Sequence, residues 1–146
     1  MEHFSDTREL DIFLDDTFAV LEKGEDGKYW KLRLEGEANQ YKVHLRWLDE
    51  NLLLTVDPYG PPPRDKECAA RLHHYLLAAN DEMRWGFFSI DRDYSVELNI
   101  NLPQASLNDQ VLKRALDHLL FYGDRHYFNV LNLANSAQAK VVIEDD

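Results

Sequence analysis

Six histidines, one cysteine and a surplus of carboxylates are the side chains here whose types could do chemistry, and their spacing assigns them none. His3, His44, His73, His74, His118 and His126 form no HExxH pair, no Cys/His ligand set and no carboxylate–histidine cluster at metal-ligand spacing. His73 and His74 are adjacent, so a helix turns them to different faces. Asp11, Asp15 and Asp16 would need a desolvated pocket to act as acids, and their spacing puts them on the polar face of a helix instead. Asp124-Arg125-His126 carries acid–base residue types, yet a solvated helix end explains it better. Cys68 falls on an apolar helical stripe, where a buried small hydrophobe is expected rather than a nucleophile. The glycines lack the spacing of a phosphate cradle. The sequence therefore assigns no catalytic, cofactor-binding or metal-binding residue.

Two other patterns stand out. Lys31, Arg33, Lys42, His44 and Arg46 all project from the wet side of one strand pair, and like charges on neighbouring strands cost a few tenths of a kcal/mol each. Lys31, Arg33, Lys42 and Arg46 are the candidate face for an anionic partner; Glu35, Asp49, Glu97 or the acidic tail are the internal groups that would otherwise offset them. RNA fits less well, because Trp30 and Tyr41 point to the opposite side and cannot stack bases. Second, the strands around Leu53 and around Trp85 and Phe87 are apolar on both faces. One layer of helices cannot cover both, which points to a self-association or client surface at Leu53, Tyr75, Trp85 and Phe87.

The elements that position these residues follow from periodicity. Leu10, Phe13, Leu14, Thr17, Phe18 and Leu21 recur at helical spacing and predict a helix over Asp6–Glu22, with Asp6 and Glu9 at its capped start. Trp30, Leu32 and Leu34, then Tyr41, Val43, Leu45 and Trp47, alternate with polar residues as two half-wet strands. A third strand covers Leu52–Val56. Asp57-Pro58-Tyr59-Gly60-Pro61-Pro62-Pro63 removes backbone donors and is expected to end it in a stiff crossover loop. A second helix over Asp65–Asn80 buries Cys68, Ala69, Leu72, Tyr75, Leu76 and Ala79. Two strands follow, Arg84–Asp91 and Ser95–Leu102, joined by a turn at Arg92-Asp93. Ser106 with Asp109 is expected to cap a last helix carrying Val111, Leu112, Ala115, Leu116, Leu119 and Leu120, with either burial on several sides or a break near Gly123. Residues 134–146 form an expected loosely held tail that includes Val141-Val142-Ile143.

The fold class is α+β, in the order α-β-β-β-α-β-β-α, with an antiparallel sheet covered by helices. At 146 residues this is one expected domain, 1–146, with its core at about 6–133. A chain of that length buries roughly 70% of its unfolded surface. The net charge of −11 argues against duplex DNA and anionic membranes as main partners. The residues 1–26 are strongly acidic, whereas 27–47 reverse the sign. The start Met1-Glu2-His3-Phe4-Ser5-Asp6 lacks a signal-peptide pattern, no apolar run approaches a membrane span, and the single cysteine suits a reducing compartment, so a cytoplasmic location is expected.

From Asn80 to Leu102 the sequence runs from an asparagine closing the second helix, through Arg84-Trp85-Gly86-Phe87-Phe88-Ser89-Ile90-Asp91 and a turn, to an alternating strand ending at Leu102-Pro103. With the element order over 6–133, this resembles the type III secretion chaperone fold, and more closely the YbjN-like family of bacterial proteins that shares it. The resemblance implies a small acidic homodimer with the second helix and fourth strand near the two-fold. It also implies hydrophobic patches of the kind that hold an extended partner segment in secretion chaperones. The expected function is a non-enzymatic, chaperone-like or regulatory protein-binding module, with no cofactor. The alternatives are a small-ligand or nucleic-acid-sensing regulator, or an enzyme with an unrecognised site.

Overall fold

The computed structural model describes residues 3–141. Three helices and six strands follow the order α1 (Thr7–Thr17), β1 (Ala19–Lys23), β2 (Tyr29–Glu35), β3 (Gln40–Trp47), β4 (Asn51–Gly60), α2 (Lys66–Glu82), β5 (Phe87–Ile90), β6 (Val96–Pro103) and α3 (Asp109–Asn135). All strand pairs are antiparallel, in the spatial order β1-β2-β3-β4-β6-β5. The α+β class expected from periodicity is the one observed, with one strand more.

That extra strand comes from the end of the expected first helix. Asp6 caps α1 by accepting from Arg8 N at 3.0 Å and Glu9 N at 3.1 Å, and Leu10 and Leu14 are fully buried. The helix stops at Thr17 instead of Glu22, and Ala19–Lys23 pair with β2. Leu21, which fits the helical stripe, is the extra residue at a bulge between Val20 and Glu22 and stays 44% exposed. Ladder pairing has outweighed a helical spacing that the β-branched Thr17 and Val20 support poorly.

The proline-rich stretch also departs from expectation. β4 runs on through Asp57-Pro58, a cis peptide, to Gly60, which pairs with Val96. The ladder to β6 shifts register between Val56 and Gly60, so Pro58 sits in a bulge where its missing N–H is not needed. Tyr59 inside this segment is buried and donates to the Gly123 carbonyl at 2.6 Å. A Cβ on Gly60 would come within 2.5 Å of Val130 Cγ1, so glycine here lets α3 approach β4 closely.

All three helices lie on the sheet face that carries Trp30, Leu32, Val43, Leu45, Leu54, Leu98 and Ile100, which are buried in one core with Leu72, Leu76, Leu112, Leu116 and Leu119. α2 is capped by Asp65 and runs two residues past Asn80. α3 is capped by Asn108, which accepts from Val111 N at 2.9 Å, because a single 3-10 turn at Gln104–Ser106 precedes it in place of a Ser106 cap. α3 continues unbroken past Gly123; of the expected spread of apolar residues, Leu119, Val130 and Leu133 are buried, whereas Phe121 and Phe128 stay exposed on its outer surface. The start of the expected tail is firmly held: Ala134 is fully buried and accepts from Arg64 N, while Arg71 donates to the Ala137 carbonyl. Val142 and Ile143 lie outside the described residues.

Candidate partner-binding face

The alternation that buries Trp30, Leu32, Val43 and Leu45 sends their neighbours to the other face of the sheet, over which no helix packs. Register fixes three rows across it. Glu22, Lys31, His44, Thr55, Asn99 and Phe87 form the first. Tyr29, Arg46, Leu53 and Asn101 form the second. Arg33 and Lys42 on one side, with Glu97 and Ser89 on the other, form the third, and Asp57 continues it one residue beyond the Val43–Val56 pair.

The expected basic face is therefore one surface: Arg33 opposes Lys42 directly, Lys31 opposes His44, and Arg46 opposes Tyr29. Burial, and then the positive neighbours Arg46 and Lys31, lower the pKa of His44 against the pull of the Asp57 carbonyl. The His44 ring lies 2.7 Å from the Tyr29 hydroxyl. The neutral ring adds no charge at pH 7, so the cations are Lys31, Arg33, Lys42 and Arg46. Lys31 has Glu22 at 3.8 Å and Arg33 has Glu35 at 3.8 Å, both long pairs open to solvent on the glutamate side and of little energetic weight. Among the described residues no carboxylate comes within ion-pair distance of Lys42 or Arg46; Arg46 lies over the Tyr29 ring instead, 5.7 Å from its centroid.

Across the same face the sign reverses. Asp57, Asp91 and Glu97 gather where β4 and β6 meet the β5–β6 turn. Asp57 Oδ1 is buried without a hydrogen-bond partner, and burial, then Asp91 and Glu97, push the Asp57 pKa up to about 7. Asp91 Oδ1 accepts from Asp93 N at 2.8 Å and Ser95 N at 2.9 Å. A neutral chain of side chains runs across β4, β6 and β5 beside these carboxylates. Thr55 donates to Asn99 Oδ1, Asn99 Nδ2 to Ser89 Oγ, and Ser89 Oγ to Glu97 Oε1, at 2.8, 2.8 and 2.9 Å. Thr55 and Asn99 are only 2% and 4% exposed, so this chain of bonds is rigid.

The four residues expected to form one self-association or client surface do not converge. Leu53, half-buried, and Phe87, 42% exposed, share the open face but sit in different rows. Trp85 instead packs edge-on against His118 of α3, with ring centroids 4.9 Å apart. Tyr75 lies between α2 and α3, its hydroxyl 2.6 Å from His126 Nδ1 and accepting from Asn129 Nδ2. The Asn80 side chain bonds both the N–H and the carbonyl of Phe88, which blunts the β5 edge against further strand pairing.

Asp124-Arg125-His126 is not a solvated helix end. Asp124 accepts from Glu37 N, Ala38 N and the Tyr41 hydroxyl at 2.9, 3.0 and 2.8 Å, clamping the β2–β3 turn to α3. His126 is buried, and its burial, then Arg125, push its pKa down to about 4. Among the described residues, no group of His, Cys, Asp and Glu is arranged to hold a metal ion, and no helix is long and apolar enough to cross a membrane.

The six-stranded antiparallel sheet with three helices is an α+β arrangement that matches type III secretion chaperone-like structures. No family model and no curated protein matches the chain. Solved structures do, two of them as follows. One is a chain of the heterodimeric ExoU–SpcU complex from the type III secretion system of Pseudomonas aeruginosa, with a TM-score of 0.54 and 17% identity, covering 77% of this chain and 88% of that one. The other is YbjN from E. coli, for which a transcription-regulator role has been suggested, with a TM-score of 0.54 and 12% identity, covering 85% of this chain and 93% of that one. At such identities the likeness establishes the fold.

Proposed function

We propose that this chain is a non-enzymatic, chaperone-like protein-binding module that acts in the cytoplasm as a homodimer and holds a protein partner. The observation that carries this reading is the sheet face left uncovered by all three helices, on which Lys42 and Arg46 lie outside ion-pair reach of any described carboxylate. Lys31, Arg33, Lys42 and Arg46 receive carboxylates of the partner, and Leu53 and Phe87 supply apolar contact on the same face. The ExoU–SpcU neighbour lends support, since it is itself one half of a protein–protein complex. A nucleic-acid role has less behind it, because Trp30 and Tyr41 are buried on the helix side and offer no stacking platform.

Capture of interacting proteins from native lysate tests the reading, with wild type compared against Lys31→Glu/Arg33→Glu. Wild type should retain a protein with an acidic segment and the variant should lose most of it, while both melt within a few degrees of each other. Equal recovery by the two proteins would remove the basic face from the account.

A further inference from the structure

One stripe of α3 turns away from the core. Phe121 and Phe128, two helical turns and about 10 Å apart along the axis, stay 55% and 58% exposed. They belong to one wall of an open cleft of about 630 Å³, and the β2–β3 turn, from Glu35 to Ala38, forms the other wall. The two walls are fixed to each other. Asp124 accepts from Glu37 N and Ala38 N, and at Gly36 the turn runs so near α3 that a Cβ would come within 2.5 Å of Asp124 Oδ1. A cleft with clamped walls loses little conformational freedom when it is filled. Its charge also has a sign. Glu35, Glu37 and Asp124 line it against Arg125, whose guanidinium lies over the Phe121 ring, 5.9 Å from the centroid. Glu35 has Arg33 at 3.8 Å, whereas among the described residues no cation comes within ion-pair distance of Glu37.

We propose that this cleft docks a short segment of another protein that is both apolar and basic, its apolar side chains seated against Phe121 and Phe128 and its Lys or Arg directed at Glu37 and Glu35. Two exposed rings on one helix face suit the apolar stripe of an amphipathic segment, and the acidic rim supplies the sign of its polar side. The net charge of −11 favours the approach of such a segment. The cleft uses none of the cations of the open sheet face. It also lies away from the two-fold that the resemblance implies: β2 and β3 lie towards one side of the sheet, and β5, on which α2 packs, is at the other. Each copy of a homodimer therefore keeps its own cleft open. The inference goes beyond the proposed function, because segments of opposite charge bind at the two places and substitution at one leaves the ligand of the other in place.

Selection from a phage-displayed library of random peptides about twelve residues long, carried out on the whole protein, tests the proposal. Enriched peptides should combine leucine, isoleucine or phenylalanine with lysine or arginine. In fluorescence anisotropy at about 0.15 M salt, the tightest of them should bind Phe121→Gln/Phe128→Gln and Glu35→Lys/Glu37→Lys each about tenfold more weakly than wild type, and Lys42→Glu/Arg46→Glu within about twofold. The substituted positions are exposed, so the variants should melt within a few degrees of wild type. Should the double lysine variant fail to fold, Glu37→Gln carries the charge arm alone, with a loss of about threefold. No enrichment, enrichment of acidic or uncharged peptides, or basic peptides whose binding ignores both phenylalanines would each overturn the proposal. Peptides released by Lys42→Glu/Arg46→Glu would belong to the open face and would overturn it as well. So would a loss of self-association by Phe121→Gln/Phe128→Gln in sedimentation equilibrium, since the cleft would then belong to a second copy of the chain.

Discussion

The two sides of the sheet treat polar groups in opposite ways. On the helix side, Tyr59, Tyr75, Asp124, His126 and Asn129 are pulled out of water, and nearly every polar atom is matched to one inside the chain, as when Tyr59 donates to Gly123 and Asp124 closes over Glu37, Ala38 and Tyr41. On the open side, charges of one sign sit beside each other on β2 and β3 while the other sign collects at Asp57, Asp91 and Glu97, and among the described residues no ion pair joins the two groups. Buried polar groups that complete their bonds internally specify the fold, whereas charges left unmatched on a rigid, uncovered face await something outside it. On the proposed reading, structure lies on one side and recognition on the other.

The contrast breaks most visibly at Asp124. Asp124→Ala removes the acceptor for the buried Tyr41 hydroxyl and unclamps the β2–β3 turn, and should cost about 3 kcal/mol, read as a fall in Tm of roughly 6–12 °C. On the open side, Lys42→Glu/Arg46→Glu should abolish most partner retention in a capture experiment while moving stability by no more than about 0.5 kcal/mol. A stability loss at Lys42 comparable with that at Asp124 would erase the distinction between the sides.

Two pH profiles sharpen it further. His126 is depressed in the folded state to about 4, so the unfolded chain binds the extra proton between its ordinary value near 6.5 and about 4. Stability contributed by this site is present above about 6.5 and falls as pH drops through that window; His126→Gln should flatten the slope in urea titrations at pH 7, 6, 5 and 4. Asp57 has the opposite sign. Its folded pKa is raised to about 7, so its contribution is full below about 4 and is lost as pH rises towards 7. Because Asp57 is only partly buried, Asp57→Asn should raise Tm at pH 8 by only a few degrees, with no gain at pH 4. A larger effect at pH 4 than at pH 8 would contradict the crowding of Asp57, Asp91 and Glu97.

The sequence made the core and most elements legible because period two and period 3.6 are separable wherever one face is dry, as at Trp30–Leu34, Tyr41–Trp47 and Val96–Leu102. The basic rows were legible for the same reason, since alternation alone puts Lys31, Arg33, Lys42 and Arg46 on one side. The rest depended on context. Leu21 fits a helical stripe and becomes a bulge only because β2 offers a ladder to Ala19–Lys23. Asp57 looked like the start of a proline loop; continuing the alternation of Leu53 and Thr55 through it would have placed its carboxyl beside Glu97. Tyr75 and Trp85 have the residue types of an interface, but α3 arrives to cover both, and no local pattern announces a contact between residues so distant in sequence.

The most direct test compares partner retention after substitutions on the two sides: Lys42→Glu/Arg46→Glu on the open sheet face against Leu77→Glu/Phe128→Glu on the exposed outer surfaces of α2 and α3. The account predicts that the first variant loses the partner and the second keeps it, with both folded by circular dichroism. Retention by the first and loss by the second would place recognition on the helices and contradict the central claim.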